Sequence, residues 1–222
     1  MEVCARQITK EYYRKKQGSN VFTALEACSI SLRPGTLTVV RGRSGSGKST
    51  LLNALAGILT PTGGQVEYDG KDIYAMKDEE RSLFRGRFIG CIPQGRSAHS
   101  ALSVLDNVLL PLTLIGERDE KRAVELLERF SIADLKDMNV KKLSGGELRR
   151  MAIARALIRD PEVVFADEPT GDLDDENTRL VFEELRKIAA SGKTVFIVTH
   201  EDGAEAYADR VLTMENGRLQ NE

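Results

Sequence analysis

A glycine-rich stretch, Gly42–Ser49, constrains the fold of this chain more than any other feature. It reads G-R-S-G-S-G-K-S and directly follows the apolar run Leu37–Val40. When a strand ends in such a loop and continues as a helix, several backbone N–H groups point at one anion near the positive end of the helix. We therefore predict a strand, a phosphate-binding loop and then a helix over Ser49–Leu59.

The residue types in this loop suit a nucleotide. Its glycines let the backbone curl around a phosphate. Lys48 can reach the β- and γ-phosphates, and the Ser49 hydroxyl can ligate Mg²⁺. The loop residues predicted to bind the nucleotide are Gly42, Ser44, Gly45, Ser46, Gly47, Lys48, Ser49 and Thr50.

The later apolar runs predict an α/β fold with a parallel core. Val163–Ala166 and Thr194–Val198 are almost continuously apolar, as is typical of parallel strands buried on both faces. A helix predicted over Glu176–Ala190 joins them into a β-α-β unit. Strands at Val3–Ile8 and Ala27–Leu32 predict an antiparallel sheet near the N-terminus.

Turn and helix patterns complete this outline. Asp69-Gly70 and Asn216-Gly217 are hairpin signals. Glu120–Phe130 and Leu148–Ile158 have the apolar spacing of amphipathic helices. We predict one domain over 1–222, with a nucleotide-binding core at about 1–94 and 160–222 and a helical subdomain at about 95–159.

Two adjacent acids, Asp167 and Glu168, follow the run Val163–Ala166. Ligands of α/β sheets bind at this carboxyl edge. We expect Asp167 to hold Mg²⁺ and Glu168 to orient or deprotonate an attacking water.

A second glycine-rich loop, Leu143–Glu147, reads L-S-G-G-E and contains no lysine. Ser144 and Glu147 have the spacing of a capping box at a helix start. Two adjacent glycines there would also expose backbone N–H groups to an anion. The residues alone leave open whether this loop is only a helix start or also a binding site.

The L-S-G-G-E stretch resembles the signature motif of ATP-binding-cassette (ABC) ATPases, which more often ends in Gln than in Glu. The order of phosphate loop, signature, Asp167-Glu168 and a late histidine is similar to that family across nearly the whole chain. The resemblance implies a P-loop NTPase (RecA-like) parallel core, an antiparallel β subdomain and an inserted α-helical subdomain. It also implies ATP and Mg²⁺ as cofactors.

The resemblance assigns further roles. It implies that Gln94 senses Mg²⁺ and couples to a membrane partner, and that His200 contacts the γ-phosphate. It implies that Gly171–Asp174 contacts the opposite subunit, with Asp174 at the nucleotide. Residues Ser144, Gly145 and Gly146 would complete the site of a second copy. His99 receives no role.

The family also stacks an aromatic residue on adenine. Tyr12 has the corresponding position, and Tyr13 and Phe22 are competing candidates.

Within the family, Ala166–Asp174 is similar to the A-D-E-P-T-G-N-L-D string of the lipoprotein-release, macrolide-export and cell-division group. That group uses ATP to move a membrane partner. Two departures stand out: Asp172 replaces the usual Asn, and Gly95–Ala101 is small and polar where the group tends to carry aromatic and leucine residues.

Composition and hydropathy limit the partners. A formal net charge of −2 gives no support for nucleic acid. No apolar run approaches the roughly 20 residues that span a bilayer, and no N-terminal signal peptide is evident. Any role at a membrane would therefore need a partner. The family resemblance implies that this partner is a separate permease and that the chain is peripheral, at the cytoplasmic face of the membrane.

The resemblance implies an ATPase subunit of an ABC transporter that is active as a dimer. We expect a homodimer, and transport of the mechanotransmission or efflux type. The alternative is a soluble ABC ATPase for protein or cofactor assembly without transport. A nucleotide-binding regulatory module without turnover is disfavoured because Lys48, Asp167, Glu168 and His200 are all present.

Overall fold

The computed structural model describes residues 1–13, 21–95, 97–171 and 173–221. Arg96 and Asp172, two positions within the departures noted above, lie outside the described residues. The strands are β1 (Val3–Tyr13), β2 (Val21–Leu32), β3 (Leu37–Arg41), β4 (Gly63–Tyr68), β5 (Lys71–Asp72), β6 (Ile89–Ile92), β7 (Val163–Asp167), β8 (Thr194–Thr199), β9 (Arg210–Glu215) and β10 (Arg218–Asn221). The helices are α1 (Lys48–Leu55), α2 (Asp78–Phe88), α3 (Val104–Thr113), α4 (Glu120–Arg129), α5 (Gly145–Leu157) and α6 (Asp175–Ala190).

These strands form two sheets. The smaller sheet is antiparallel, with the order β2-β1-β4-β5. The larger has the order β10-β9-β3-β8-β7-β6, and its neighbours are parallel except for the antiparallel β9–β10 pair. The predicted α/β class, with a parallel core and an antiparallel N-terminal sheet, is confirmed.

Strand β7 is almost continuously apolar because both of its faces are covered. Every residue of β7 is buried. Val163 and Phe165 face a hydrophobic cluster that contains α1 and the antiparallel sheet. Val164 and Ala166 face a second cluster that contains residues from α3 to α6. The central strands are therefore covered on both faces, which leaves their carboxyl ends as the accessible edge.

Three helices, α3, α4 and α5, lie between β6 and β7 in the chain and pack against one another. Pro111 lies inside α3, yet that helix continues to Thr113. The helices share the hydrophobic cluster of the parallel sheet. The proposed boundaries of a separate helical subdomain at about 95–159 stay a prediction.

The structure differs from the sequence expectation in the first ninety residues. Helix α1 ends at Leu55 rather than Leu59, because Gly57 adopts a φ of +70°, which ends a helix readily. Helix α2 and strand β6 were not anticipated. Helix α2 buries no residue, so it lacks the apolar face that would have marked it.

Among the described residues, no helix combines the length and the apolar character needed to cross a bilayer.

Candidate active site

The carboxyl ends of β3, β7 and β8 meet at one edge of the parallel sheet. Beside this edge lies a cavity of about 560 Å³. Its lining residues are Tyr12, Phe22, Ala24, Arg43, Ser44, Gly45, Gly47, Lys48, Ser49, Thr50, Gln94, Glu168 and His200. Predicted residues from five separate segments of the chain thus surround one space.

Helix α1 begins at this cavity without a side-chain cap. Gly47 is its N-cap residue, has a φ of +110° and offers no side chain to the first backbone N–H groups. At this point helices α3, α4, α5 and α6 each donate a backbone N–H hydrogen bond to a capping side chain. The uncapped end of α1 is therefore suited to bind an anion.

Two polar side chains of the phosphate loop are buried. The Nζ atom of Lys48 donates hydrogen bonds to the carbonyl oxygens of Gly42, at 2.6 Å, and Arg43, at 3.0 Å. The Ser46 hydroxyl has no hydrogen-bond partner among the described residues. A buried polar atom without a partner costs free energy, so this hydroxyl is available to a ligand.

Asp167 lies at the end of β7, and its carboxyl is largely withdrawn from solvent. Burial raises its pKa above the ordinary value, against the lowering effect of a hydrogen bond with Ser49. Its Oδ1 atom is buried and has no hydrogen-bond partner among the described residues. Carboxylate and hydroxyl oxygens are suitable ligands for Mg²⁺, so this pair fits the predicted metal.

Glu168 is held by the end of β8. Its Oε1 atom lies 2.8 Å from Nδ1 of His200, and its Oε2 atom accepts a hydrogen bond from the Thr199 hydroxyl at 3.1 Å. The backbone of Glu168 has a φ of +49°, an unfavourable value for a residue with a side chain. Such strain persists only where the surroundings enforce it, and it clusters at functional sites.

The three aromatic candidates for adenine stacking lie at different places. Tyr12 and Phe22 are cross-strand partners in β1 and β2, and both line the cavity. Tyr13, the next residue in β1, is not among the lining residues and is 78% exposed, against 39% for Tyr12. The geometry thus favours Tyr12 or Phe22 over Tyr13.

The family model described as "ABC transporter" matches residues 25–171, more than half of the chain. The chain belongs to the ABC transporter family. Cassettes of this family are ATPases, so the chain is an ABC ATPase.

Curated relatives of this ABC ATPase include transporter subunits. It is 38% identical over 219 residues to a lipoprotein-releasing system ATP-binding protein, LolD, of Pseudomonas syringae, covering 96% of this chain and 95% of that protein. It is 40% identical over 212 residues to the macrolide export ATP-binding/permease protein MacB of Chlorobaculum tepidum. The match covers 95% of this chain but only 32% of that MacB protein.

Solved structures give the same family. A dimeric structure of MJ0796, a bacterial ABC transporter cassette, has a TM-score of 0.91 at 32% identity and covers 99% of this chain and 97% of that chain. A dimeric post-hydrolysis state of MJ0796 bound to ADP and Pi has a TM-score of 0.90 at 31% identity, covering 99% and 98%. These similarities confirm the predicted α/β fold of the P-loop NTPase type.

The predicted signature loop, Leu143–Glu147, contributes no residue to the lining of the main cavity. Ser144 and Glu147 form the predicted capping box: Ser144 Oγ accepts from the Glu147 N–H at 3.3 Å, and Glu147 Oε2 accepts from the Ser144 N–H at 2.7 Å. Gly145 lines a second cavity of about 220 Å³, which shares Gln94, Glu168 and His200 with the first. The other predicted trans-acting residues, Ser144, Gly146 and Asp174, line neither cavity.

Asp174 has a local structural task. It caps α6 by accepting a hydrogen bond from the Asn177 N–H at 2.8 Å. This bond lowers the pKa of the Asp174 carboxyl below its ordinary value.

Sequence reasoning missed Arg149, which connects several motifs of this ABC ATPase. Its buried guanidinium donates to the carbonyl oxygens of Asp167, at 2.9 Å, and Pro169, at 3.0 Å. It also donates to the carbonyl oxygens of Pro93 and Gly95, on either side of Gln94. In an amphipathic helix, a charged residue such as Arg149 is expected on the exposed face. The sequence pattern therefore gave no sign of these buried contacts.

Proposed function

We propose that the chain hydrolyses MgATP in a two-fold dimer and thereby drives a separate membrane permease. One observation carries the proposal: the phosphate loop and the strained Glu168, with its His200 and Thr199 contacts, border the same cavity. That arrangement places a phosphate group and an acidic side chain side by side in a chain of the ABC transporter family.

The phosphate loop would hold the nucleotide. The uncapped start of α1 would face the phosphates, and Lys48 would exchange its bonds to loop carbonyls for bonds to phosphate oxygens. The unpartnered Ser46 hydroxyl would gain an acceptor. Tyr12 would stack on adenine, with its cross-strand neighbour Phe22 at the border of the same space.

The predicted Mg²⁺ would be held by Ser49, Asp167 and Gln94. The ion supplies charge neutralisation for the phosphates. In this chain the buried, unpartnered Oδ1 of Asp167 supports the assignment, because such an atom is stabilised by a cation.

Glu168 would accept the proton of the attacking water. Its carboxyl is fixed by Thr199 and His200, so it need not search for its orientation at the moment of reaction. His200 would contact the γ-phosphate from the end of β8, since its exposed ring borders the cavity.

A second copy would complete each site with Ser144, Gly145, Gly146 and Asp174. The dimeric MJ0796 structures, which cover nearly all of this chain, support that assembly. The permease and a peripheral place on the cytoplasmic face of the membrane are inferred from relatives named as transporter ATP-binding proteins. The mechanical or efflux type of transport rests on the same similarity.

The replacement Glu168→Gln tests the assigned base. It keeps the shape of the side chain and removes its basicity, so MgATP should still bind while turnover falls by about 10²-fold or more. The dimer should then persist in size-exclusion chromatography with ATP. Glu162→Gln is the matched control, because the exposed Glu162 lies at the opposite end of β7. Wild-type turnover in Glu168→Gln would show that another residue is the base.

Co-purification separates transport from soluble assembly work. We expect the chain, expressed with the product of a neighbouring multi-span membrane gene, to be recovered with membranes and released by detergent together with that protein. Recovery in the soluble fraction alone would favour the assembly alternative.

A further inference from the structure

The last hairpin of the chain lies behind the phosphate loop. Strands β9 and β10 are joined by the two-residue turn Asn216-Gly217. The N–H of Gly217 donates a hydrogen bond to the carbonyl oxygen of Ser46 at 2.9 Å. This contact joins the C-terminal end of the chain to the centre of the loop.

The same bond determines where a neighbouring N–H points. The carbonyl of Ser46 and the N–H of Gly47 belong to one planar peptide unit, and the structure contains no cis peptide bond among the described residues. In a trans unit the two groups point in opposite directions. Because the carbonyl is held toward the turn, the Gly47 N–H is directed to the other side, where Gly47 lines the cavity.

We propose that Gly217 is a positioning residue for nucleotide binding: its N–H orients the Ser46–Gly47 peptide so that the Gly47 N–H faces the phosphates. The inference rests on the proposed nucleotide site and extends it to a turn that lies outside the matched family segment, residues 25–171. Gly217 acts through the loop and does not line the cavity itself.

Close packing fixes the turn against both the loop and strand β2. The Gly217 carbonyl accepts from the Glu26 N–H at 2.9 Å and from the Cys28 thiol at 3.0 Å. A Cβ atom on Gly217 would lie 2.9 Å from the carbonyl oxygen of Ala24, and one on Gly47 would lie 2.5 Å from the same oxygen. A side chain on either glycine would therefore require the backbone at Ala24, in β2, to shift.

A charged pair anchors the hairpin further. Arg218 donates to Glu26 Oε2 from both Nε, at 2.7 Å, and Nη2, at 2.5 Å. The hairpin is therefore joined to β2 by a backbone hydrogen bond, a thiol hydrogen bond and an ion pair.

A second turn of the chain supplies a matched control. Asp69-Gly70 also joins two antiparallel strands, and its φ values of +47° and +81° nearly equal the +48° and +79° of Asn216-Gly217. A Cβ atom on Gly70 would meet nothing within 4 Å. An alanine at either glycine therefore carries a similar backbone strain, but only Gly217 touches the phosphate loop.

The test measures MgADP binding to the full chain by titration calorimetry. Gly217→Ala should raise the Kd roughly 3- to 10-fold, the effect of one weakened hydrogen bond. It should also speed hydrogen exchange in a peptide covering residues 42–49. Gly70→Ala should lower the melting temperature through its backbone strain alone, and should change neither the Kd nor that exchange.

If Gly217→Ala does not fold, a second variant and its control test the same inference with a smaller change. Arg218→Ala should raise the Kd roughly twofold by releasing the hairpin from Glu26. Its control is Lys71→Ala, which removes the corresponding residue after Gly70 and its ion pair with Glu80. Unchanged MgADP affinity in both hairpin variants, or equal losses in variants and controls, would overturn the inference. A wild-type chain that binds no MgADP would overturn the proposed function and this inference with it.

Discussion

At the scale of single residues, Glu168 is the most constrained side chain of the candidate site. It combines a left-handed backbone, burial, and contacts to Thr199, the last residue of β8, and to His200, which follows that strand. Thr199 is itself buried and accepts a hydrogen bond from the Glu201 N–H at 3.0 Å. Its hydroxyl proton is thereby directed at the Glu168 carboxylate, which fixes the orientation of the proposed base.

Thr199→Val should lower kcat roughly tenfold or more while leaving the KM for MgATP nearly unchanged. The replacement keeps the shape but removes one hydrogen bond to a charged acceptor, a bond of about 1.5–3 kcal/mol. Steady-state ATPase kinetics measure both constants. Thr199→Ser, which retains the hydroxyl, should restore most of kcat. A fall in kcat that serine does not restore would point to packing instead of orientation.

At the scale of elements, an ion-pair group ties the inserted helices to the core. Arg129 in α4 donates two hydrogen bonds, at 2.9 and 2.7 Å, to Glu184 in α6, and Lys187 donates a third at 2.6 Å. Burial alone would raise the pKa of the Glu184 carboxyl, but the bonds from Lys187 and Arg129 outweigh it and hold the pKa below its ordinary value.

Arg129→Ala should lower the free energy of unfolding by about 1.5 kcal/mol, because a nearly buried carboxylate loses two charged hydrogen bonds. Arg179→Ala is the control: it removes an exposed pair with Glu183, 3.6 Å apart in the same helix α6, and should cost less than about 0.5 kcal/mol. Urea denaturation at pH 7 measures both. Equal losses would show that the α4–α6 pair adds nothing beyond a surface contact.

The difference in free energy of unfolding between wild type and Arg129→Ala should decrease at low pH. The pKa of Glu184 is lower in the folded protein, so its stabilising effect is complete above the unfolded-state carboxyl pKa of about 4.3. The effect is lost as the pH falls through the folded-state pKa below it. The gap between wild type and Arg129→Ala should therefore narrow in acid, as urea titrations from pH 7 downward would record.

The elements also show how far sequence reasoning extends. The phosphate loop, the buried strands β7 and β8 and the capping box at Ser144 were predictable, because each depends on a local pattern or a continuous apolar run. Helix α2 was not, since it has no apolar stripe. The Arg149 contacts join the segments around Gln94 and Asp167, and no local pattern reports a contact between segments so distant in the chain.

At the scale of the whole molecule, the phosphate loop and the predicted signature loop are two different parts of the proposed nucleotide site. The phosphate loop borders the main cavity, whereas Ser144 is exposed and lines neither cavity. The similar cassette MJ0796 is dimeric in two solved structures. A second copy would bring the signature loop of one chain to the nucleotide of the other.

Ser144→Arg should abolish turnover while the monomer still binds MgATP, because the bulky cation would stand in the proposed interface. ATPase assay and titration calorimetry separate the two effects. In the Glu168→Gln background, size-exclusion chromatography should show that the added Ser144→Arg prevents the ATP-dependent dimer. Asp119→Arg controls for the lost cap, since the exposed Asp119 caps α4 in the same manner. Loss of MgATP binding to the monomer would instead place the signature loop in its own chain's site.

The bonds from Lys48 to the carbonyls of Gly42 and Arg43 have a kinetic consequence. The ammonium group of Lys48 holds the start of the loop close to the start of helix α1. At the proposed site, an arriving phosphate would therefore meet a loop that is already formed, and would compete with two carbonyl oxygens for the Lys48 ammonium. Binding would then exchange the partners of Lys48 and require little further ordering of the loop, which favours rapid capture of the nucleotide.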